Sequence, residues 1–360
     1  MLTPYGNNLK MYIEGGSHDE KIELILDGFP KGLLLDEEAL QAFMDRRAPG
    51  KDKFSTTRKE ADKPVFLSGI TDGKTDGSRI HAVIYNSNQH SRDYSFVKET
   101  PRPSHADYCA IQKYGKDVDL RGGGHYSGRL TAMLCVAGAL CKQLLSQQGI
   151  EIFAHIYSVG GINDTPFDLC KVGAAEQNIL KNADFPVLNE EQGQKMQEKI
   201  LQAKENLDSV GGIVECAVTG LPTGLGEHLF AGAEGRISAV VFSVPAVTGV
   251  EFGNGFGCAS LFGSQNNDPF ETDGQNIYTT TNNCGGILGG MTNGMPLVFR
   301  AAFKPTPSIA KEQNTVSLST MTNTKLSIRG RHDPCIVQRA VPVLEAAAAV
   351  AVCDMLLDKR

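Results

Sequence analysis

The chain ends in an apolar stretch, VLEAAAAVAVCDMLL at residues 343–357, which follows directly on SIRGRHDPCIVQRAVP at residues 327–342. The stretch is too short for a membrane span and is interrupted by two acidic residues, so it predicts a buried helix. Asp333 followed by Pro334 is typical of an N-cap and a first helical position. One interpretation is therefore a capped core helix, which leaves the two arginines and the histidine just before Asp333 unexplained.

The composition indicates an ordinary soluble globular protein. Of 360 residues, 41% are hydrophobic and 21% are charged, with a net charge of −6. An acidic balance argues against a broad surface for nucleic acid or an anionic membrane, although it leaves room for a local basic pocket. The N-terminus has no basic segment followed by an apolar core, so no secretion signal is predicted. We expect a cytoplasmic protein with neither nucleic-acid nor membrane partners.

The cysteine pattern agrees with a cytoplasmic location. Nine cysteines are present, an odd number, and no two of them form a C-x-x-C pair. We therefore expect reduced, mostly buried thiols rather than disulfides or a zinc centre, and we predict no metal site.

Hydrophobic periodicity predicts an α+β fold. Helical periodicity covers residues 36–47, 127–149, 189–207, 233–244 and the final apolar segment. Strand-like runs lie at residues 21–30, 79–86, 150–159, 212–220 and 295–303. The two classes alternate irregularly and no linker divides the chain, so we expect a single domain over 1–360 with mostly antiparallel sheets. The tetrapeptide VGGI, at 159–162 and again at 210–213, is a weak indication of two related halves.

Two glycine-rich segments resemble nucleotide-binding loops only superficially. SGITDGKTDG, at residues 68–77, has three residues between Gly69 and Gly73, where a P-loop needs four. It is better interpreted as a turn between strands. GGILGG, at residues 285–290, lacks the spacing of a dinucleotide-binding turn.

Basic residues are concentrated in one long polar loop, DRRAPGKDKFSTTRKEADKP at residues 45–64. The loop could be a solvated charged segment, or it could clamp an anion, a task that arginine forks suit well. Two further segments would suit a phosphate. RGGGHYSGRLTAM, at residues 121–133, places glycines and an arginine at a predicted helix start, and KPTPSI, at residues 304–309, supplies a lysine and hydroxyls.

Two histidines are candidates for proton transfer. His18 in GGSHDE and His105 in RPSHAD each lie beside a serine and near an acidic residue, a setting that can bring an imidazole pKa close to neutrality. Each could equally be a structural histidine. Taken together, the residues predict a pocket for a multiply anionic ligand with two candidate acid/base groups, and they do not name the reaction.

The ordered motifs resemble those of the chorismate synthase family along essentially the whole chain. They are G-G-S-H, D-R-R-A-P-G, L-S-G-I-T-D-G-K-T-D-G, R-P-S-H-A-D, G-G-G-H-Y-S-G-R-L-T-A-M, D-S-V-G-G-I-V-E, G-L-P-T-G-L-G-E, P-A-V-T-G-V-E-F-G, G-G-I-L-G-G, F-K-P-T-P-S-I and G-R-H-D-P-C. The resemblance implies a β-α-β sandwich with antiparallel sheets and an internal pseudo-two-fold repeat. It also implies a homotetramer that converts 5-enolpyruvylshikimate 3-phosphate into chorismate and phosphate. That reaction is a 1,4-anti elimination, and it requires reduced FMN although it involves no net redox change.

The resemblance also implies roles for individual residues. His18 would protonate the departing phosphate, His105 would lie near the reduced flavin ring, and Asp333 would help to move the proton at flavin N5. The positions that match flavin contacts are His125, Tyr126, Ser127, Arg129, Pro245, Ala246, Gly289, Lys304, Pro305, Thr306, Pro307, Ser308 and Arg331. The basic-loop positions for the anionic substrate, which the family pattern also associates with NADP, are Arg46, Arg47, Lys53 and Arg58.

The sequence departs from the family pattern at three places. The first motif is GGSHD at residues 15–19 where the family usually has G-E-S-H-G, and His125-Tyr126 replaces a usual Arg-Ser pair. Lys53 replaces a common arginine. Two other functions remain open: a divergent FMN-binding paralogue that acts on another phosphorylated anion, and a non-catalytic flavin-binding protein. The sequence shows no reductase domain, so we expect an external flavin reductase to supply reduced FMN.

Overall fold

Two antiparallel sheets enclose a layer of helices in the computed structural model, which describes residues 4–50, 62–86, 96–181, 183–328 and 332–358. The elements of the first half are β1 (Lys10–Glu14), β2 (Lys21–Asp27), α1 (Glu37–Arg47), β3 (Val65–Ser68), the hairpin β4 (Ile70–Thr71) and β5 (Lys74–Thr75), β6 (Ile80–Tyr85), α2 (Asp107–Tyr114) and α3 (Thr131–Ser146). Its four-stranded sheet has the order β1-β2-β6-β3.

The second half carries the larger sheet and several additional elements. They are β7 (Glu151–Val159), β8 (Ile162–Asn163), α4 (Ala174–Lys181), α5 (Glu190–Glu205), β9 (Gly212–Thr219), α6 (Ala233–Ser243), β10 (Val247–Phe252), α7 (Gly263–Asn266), β11 (Phe270–Thr272), β12 (Ile277–Thr279), β13 (Ile287–Leu288), β14 (Met291–Thr292), β15 (Leu297–Phe303), β16 (Gln313–Ser317), β17 (Thr322–Leu326) and α8 (Val337–Leu356). The five-stranded sheet has the order β10-β15-β9-β7-β8.

The two halves repeat one topology. The first runs β1, β2, α1, β3, β6, α3, and the second runs β7, β9, α6, β10, β15, α8. In each half the first strand pairs with the second, the second with the fourth, and the fourth with the third, which lies at the edge of the sheet. All of these pairs are antiparallel. The predicted α+β sandwich with an internal repeat is therefore confirmed at the level of strand order and direction.

The final helices of the two repeats, α3 and α8, pack against each other between the sheets. Gly138 of α3 faces Ala346 of α8 so closely that a Cβ on Gly138 would lie 2.3 Å from the Ala346 Cβ and 2.4 Å from its Cα. Most of α8 is fully buried, and its short alanine side chains allow this approach. Small residues on both helices therefore set how closely the two repeats approach each other.

A buried ion cluster lies beside this contact. Glu345 of α8 accepts two hydrogen bonds from the Arg46 guanidinium, at 3.0 and 2.7 Å, and one from Lys142 Nζ at 2.6 Å. Burial opposes ionisation of Glu345, but the two cations hold its pKa down at about 2. The cluster joins α1, α3 and α8, so a charge inside the apolar layer is neutralised by groups from two neighbouring helices.

Most of the predicted elements are present, with shifted ends. Asp36 caps α1 by accepting from the Ala39 amide, and Asn189 caps α5 in the same way. SGITDGKTDG forms the predicted turn, the hairpin β4–β5 with Asp72 and Gly73 at positive φ. The pattern missed the short helices α2, α4 and α7, the strands β1, β3, β8 and β10, and the hairpins β11–β12, β13–β14 and β16–β17. All nine cysteines are free.

The predicted cap of the last helix is wrong. The helix begins at Val337 rather than beside Pro334, and its N-cap, Ile336, makes no side-chain hydrogen bond. The Asp333 carboxylate instead accepts from Arg339 Nη1, in the first turn of the helix, at 2.6 Å. Because Asp333 lies three residues before the N-cap, its carboxylate is not at the capping position.

Among the described residues, one helical segment, Gly128–Ser146, is long and apolar enough to cross a membrane by length and composition alone. Within the fold, 72% of its most apolar window is buried, and it forms the core contact with α8. Burial of this kind is what the central helix of a globular core requires, so the segment gives no support to a membrane span.

Replacing Gly138 with alanine should destabilise the protein, because the new methyl group meets the Ala346 backbone and α3 and α8 must separate. We expect a loss of about 1–3 kcal/mol, an overpacking cost that exceeds the higher helix propensity of alanine. Gly235→Ala is the matched control, since Gly235 lies in α6 with nothing within 4 Å of a new Cβ, and it should raise stability slightly. Urea denaturation of both variants tests the contact, which an unchanged or increased stability of Gly138→Ala would contradict.

Candidate active site

A cavity of about 570 Å³ opens where corresponding helix ends of the two repeats meet. It is lined by the C-terminal ends of α1 and α6, the N-terminal ends of α3 and α8, and the segments 102–106 and 303–308. Because α1 corresponds to α6 and α3 to α8, equivalent parts of both repeats contribute to its wall. The internal repeat thus explains why the cavity lies where it does.

A glycine turn forms one side of the cavity. Gly122, Gly123 and Gly124 all have positive φ, at 59°, 105° and 53°, a run that side chains with a Cβ rarely adopt. Space is also limiting: a Cβ on Gly122 would lie 2.3 Å from His18 Cε1, and one on Gly124 would lie 2.2 Å from the Asp119 carbonyl oxygen. The turn has to be glycine for both reasons, and it presents its backbone to the cavity.

His18 lies directly behind this turn. It is buried, it contacts Gly122 rather than lining the cavity itself, and its Nδ1 is 3.1 Å from Ser17 Oγ. Ser17 Oγ donates its only hydrogen to the Arg121 carbonyl oxygen at 2.9 Å, so it accepts from His18. The Nδ1 of His18 therefore carries a proton, and the ring is held with a defined orientation at the edge of the cavity.

His105 approaches the same turn from the cavity side. Its Nε2 lies 3.4 Å from the point that a Cβ on Gly123 would occupy, whereas its Nδ1 is 2.8 Å from Asp107 Oδ1. Ser104, the residue before it, has a positive φ of 58°. The structure thus brings the two histidines predicted from sequence to adjacent glycines of one turn, although 86 residues of chain separate them.

Arginine side chains along the cavity are paired with a buried carboxylate. Arg47 Nη1 donates to Asp62 Oδ2 at 2.8 Å, and Arg129 Nη1 donates to the other Asp62 oxygen. Arg129 Nε also donates to Asn86 at 2.9 Å. Burial opposes ionisation of Asp62, but the two guanidinium groups hold its pKa below its usual range. Two cations on one carboxylate leave a positive excess at this wall.

A second arginine–carboxylate pair lies at the start of α8. Asp333 and Arg339 both line the cavity and are bound to each other, and Arg339 Nε donates to the Arg47 carbonyl oxygen at 3.0 Å. Burial lowers the pKa of Arg339, yet an arginine stays protonated at neutral pH. Asp333 is therefore placed in the cavity by a cation, which supports a role for it at the site.

The segment after β15 forms another wall, together with the turn before β10. Lys304, Thr306, Pro307 and Ser308 line the cavity, and the backbone amide of Lys304 donates to the Ala246 carbonyl oxygen at 2.9 Å. Ala246 has a φ of 77°, where glycine would be expected in a turn that begins with Pro245. Backbone strain of this kind tends to be kept where the surroundings of a site require it.

Two of the three departures from the family pattern have local explanations among the described residues. Asp19 folds back so that its Oδ2 would lie 3.2 Å from a Cβ on Gly16, which leaves little room for a larger residue at position 16. His125 Nδ1 is 2.8 Å from the Gly15 carbonyl oxygen, so the replaced residue now bridges the glycine turn and the first motif. Tyr126 is partly exposed at the cavity rim.

Most predicted site residues meet at this cavity. Those that line it are His105, His125, Tyr126, Ser127, Arg129, Pro245, Ala246, Lys304, Thr306, Pro307, Ser308, Asp333 and Arg47. Pro305 adjoins the lining residues without being one of them, and Gly289 lies in the hairpin β13–β14 outside the lining set. Lys53, Arg58 and Arg331 lie outside the described residues.

Arg46 does not belong to the cavity. Its side chain points into the helical layer and binds Glu345, on the other side of α1 from Arg47. Consecutive residues of a helix project about 100° apart, which explains why two adjacent arginines of one motif serve different purposes. We leave Arg46 out of the proposed binding set.

Four charged residues at or behind the cavity wall were not predicted from sequence: Asp62, Arg102, Asp107 and Arg339. Arg102 and Asp107 flank His105 within RPSHAD, so an arginine and an aspartate within three residues of a candidate histidine were the available signal. For Asp62 and Arg339 there was no such signal, because their pairing with Arg129 and Asp333 is visible only in the folded chain. In the described part of the chain, no group of three or more His, Cys, Asp or Glu side chains could hold a metal ion.

The arrangement can bind a flat apolar group and an anion side by side. Phe242, Val244, Val247, Ile336 and Val343 provide apolar surface. Among the described lining residues, five cationic side chains accompany a single carboxylate, Asp333; the cations are Arg47, Arg102, Arg129, Lys304 and Arg339. A cationic pocket in a protein with a net charge of −6 concentrates negatively charged ligands.

Known proteins resemble this chain over nearly its full length. The family model described as Chorismate synthase matches residues 9–357. Chorismate synthase of Dehalococcoides mccartyi is 45% identical over 357 residues, covering 99% of this chain and 97% of the relative. That of Methanocaldococcus jannaschii is 42% identical over 372 residues, covering 99% and 97%. A crystal structure of chorismate synthase matches with a TM-score of 0.78 at 30% identity, covering 98% of this chain and 93% of that one. The chain belongs to the chorismate synthase family.

Proposed function

We propose that this protein is a carbon–oxygen lyase that forms chorismate and phosphate from 5-enolpyruvylshikimate 3-phosphate with the help of reduced FMN. The observation that carries the proposal is the cavity itself, in which apolar and cationic surfaces adjoin and two histidines meet one glycine turn. The reaction breaks a C–O bond to phosphate and a C–H bond, forms a C=C bond, and releases phosphate and a proton. It therefore needs cations for the substrate, an acid for the leaving group and an acceptor for the proton.

The residues present fit a flavin mononucleotide. A volume of about 570 Å³ lies within the range of small-molecule and cofactor sites, and the apolar wall suits a planar ring. Thr306 Oγ1 is buried without a hydrogen-bond partner among the described residues, which is the condition expected of a group that waits for a ligand. The flavin would be held by Thr306, Ser308 and Lys304. Pro245 and Ala246 would form the wall beside it. When bound, reduced FMN supplies an electron-rich ring for an elimination without net redox change.

The chain's own groups divide the remaining work. Arg47 would bind the anionic substrate from the wall that Asp62 organises, with Arg129 beside it as a flavin contact, and His18 would donate a proton to the departing phosphate. His105, with Nε2 toward the cavity, would exchange a proton beside the flavin. Asp333, held by Arg339, would accept a proton. We also propose that the basic residues of the cavity bind NADP. Reduced flavin would be supplied by an external reductase.

We further propose a homotetramer. Six large apolar side chains between residues 229 and 278 are more than 60% exposed in the single chain: Leu229, Phe230, Phe256, Phe262, Phe270 and Ile277. Exposed apolar surface of this extent is unusual for a monomer and is typical of subunit interfaces.

The activity itself is tested under anaerobic conditions with purified protein, reduced FMN and 5-enolpyruvylshikimate 3-phosphate, by following chorismate formation and phosphate release. We expect stoichiometric formation of both products. We also expect FMN to bind more tightly when the substrate is present, because the cavity is built partly from loops that a trianion would order. Flavin binding without turnover would instead favour a divergent paralogue or a non-catalytic flavin-binding protein. Absence of flavin binding would contradict the proposal altogether.

Replacing His18 with alanine should lower turnover by about 10²–10⁴-fold, the usual contribution of a general acid, while flavin binding stays nearly intact. The reason is that His18 lies behind Gly122 rather than among the lining residues. His81→Ala is the matched control, because His81 pairs with Glu23 on the outer face of the first sheet and should not affect the reaction. Wild-type turnover of the His18 variant at saturating substrate would remove His18 from the mechanism.

The assembly is tested by sedimentation velocity. We expect the wild type to sediment as a tetramer and Phe230→Ser to shift toward smaller species, because Phe230 is fully exposed in the single chain and would become buried in an interface. Met321→Ser serves as the control, since Met321 is also a highly exposed apolar residue (85%) but lies outside this group, at the turn between β16 and β17. A monomeric wild type would refute the assembly.

A further inference from the structure

Arg102 is a buried arginine of the cavity wall that has no part in the roles assigned so far. Its guanidinium donates two hydrogen bonds of 2.7 Å to the Asp107 carboxylate, from Nε to Oδ2 and from Nη2 to Oδ1. Nη1 donates to Ser308 Oγ at 3.3 Å, and the backbone amide of Arg102 donates to Asp107 Oδ2 at 3.0 Å. These partners together fix the plane of the guanidinium.

The same guanidinium contacts the ring of His105. Arg102 Nη2 is 3.1 Å from His105 Nδ1 and makes a hydrogen bond with it. A guanidinium nitrogen can only donate, so Nδ1 accepts this bond and carries a lone pair rather than a hydrogen. Asp107 Oδ1 also lies 2.8 Å from Nδ1, but these two atoms do not have hydrogen-bond geometry, and Oδ1 accepts from Arg102 instead.

The other ring nitrogen of His105 then has to carry the hydrogen. A neutral imidazole has one N–H group and one lone pair, so a lone pair on Nδ1 places the hydrogen on Nε2. Nε2 is the nitrogen at the glycine turn, 3.4 Å from the point that a Cβ on Gly123 would occupy. The hydrogen bond at Nδ1 therefore determines what His105 offers to a ligand at Nε2.

We propose that Arg102 is a positioning residue that holds neutral His105 as the tautomer with its hydrogen on Nε2, so that the histidine presents a hydrogen-bond donor at the glycine turn; this rests on the proposed function. A ring in this state stabilises a negatively charged group of the ligand and does not take a proton from the substrate at Nε2. Proton acceptance then falls to Asp333, the single carboxylate among the described lining residues.

The surrounding structure holds the guanidinium and the ring in register. Ser104, between them in the chain, has a positive φ of 58°, and its carbonyl oxygen accepts from Lys304 Nζ at 2.6 Å. The hydrogen bond from Arg102 to Ser308 joins the same two segments of the cavity wall. A backbone conformation that costs energy is thus kept in place by two links to residues 304–308. The tautomer of His105 is therefore set by the protein itself and does not require a ligand.

Arg102 could instead serve only to neutralise Asp107 or only to attract the anionic substrate. The variant Arg102→Lys separates these roles from positioning. Lysine keeps the positive charge beside Asp107, but its single ammonium group lacks the planar fork that reaches the carboxylate and Nδ1 together. A role in neutralisation alone predicts a lower melting temperature, and a role in attraction alone predicts a higher KM. Neither of these roles predicts a change in the tautomer of His105.

The experiment combines NMR spectroscopy with kinetics. Long-range ¹H–¹⁵N spectra of the flavin-free, ¹⁵N-histidine-labelled protein are recorded at about pH 8, where an ordinary imidazole is neutral, and are assigned with His105→Gln. We expect the hydrogen of His105 on Nε2 in the wild type. In Arg102→Lys we expect it to move toward Nδ1, because Nδ1 has lost its donor and Asp107 Oδ1 lies close by.

The kinetic expectation follows from the loss of an aligned donor. In Arg102→Lys, kcat should fall by about 10²-fold, the usual cost of removing one such hydrogen bond, while KM stays nearly unchanged because lysine keeps the charge. The spectra do not depend on turnover. They therefore remain decisive even if the proposed reaction is wrong, and failure of the reaction is distinguished from failure of the positioning role.

Arg236→Lys is the matched control. Arg236 is also a buried arginine, and it binds the carboxylates of Asp354 and Asp358, but it does not line the cavity. This variant should lose stability and leave the His105 spectrum and kcat unchanged. A wild-type His105 that carries a hydrogen on Nδ1, or an Arg102→Lys protein with the wild-type tautomer and kcat, would overturn the proposal. If Arg102→Lys fails to fold, the wild-type spectrum alone decides the tautomer.

Discussion

The contact between Gly138 of α3 and Ala346 of α8 is the constraint on which the remaining structure depends. Because position 138 has no side chain, the closing helices of the two repeats meet almost backbone to backbone. Their N-terminal ends carry the glycine turn and the Asp333–Arg339 pair to the same cavity. A wider separation of the helices would move both walls apart. The geometry of the site therefore depends on how the two helices pack in the core.

Buried charges are paired in the same way in the core and at the site. Glu345 neutralises Arg46 and Lys142 in the helical layer, Asp62 joins Arg47 and Arg129, and Asp107 holds Arg102. Buried ions are costly unless they are paired and hydrogen-bonded, and these are. At the cavity the pairing has a second consequence: the arginines are already oriented before a ligand arrives, so less conformational entropy is lost on binding.

The internal repeat also explains how one site is built from unlike residues. Equivalent helix ends reach the cavity from both halves, but the first half contributes the glycine turn and both candidate histidines. The second half contributes Lys304, Ala246 and the start of α8. Apolar surface comes largely from α6, β10 and α8, and hydrogen-bonding groups come from both repeats. The two repeats thus contribute different residues to one cavity.

The local sequence pattern correctly predicted part of the fold. It identified the helices α1, α3, α5 and α6 and the strands β2, β6, β7, β9 and β15, and it showed that residues 68–77 do not form a P-loop. These features depend on periodicity and spacing between neighbours in the chain. Motif order also indicated the family and 13 of the 30 described residues that line the cavity. The cap predicted at Asp333 is wrong because the helix begins only at Val337, and the Asp333 carboxylate binds Arg339 of its first turn. The roles of Arg46, Asp62 and Asp107 were decided only by tertiary structure, since each depends on which charged group lies within 3 Å, and local sequence does not encode that distance.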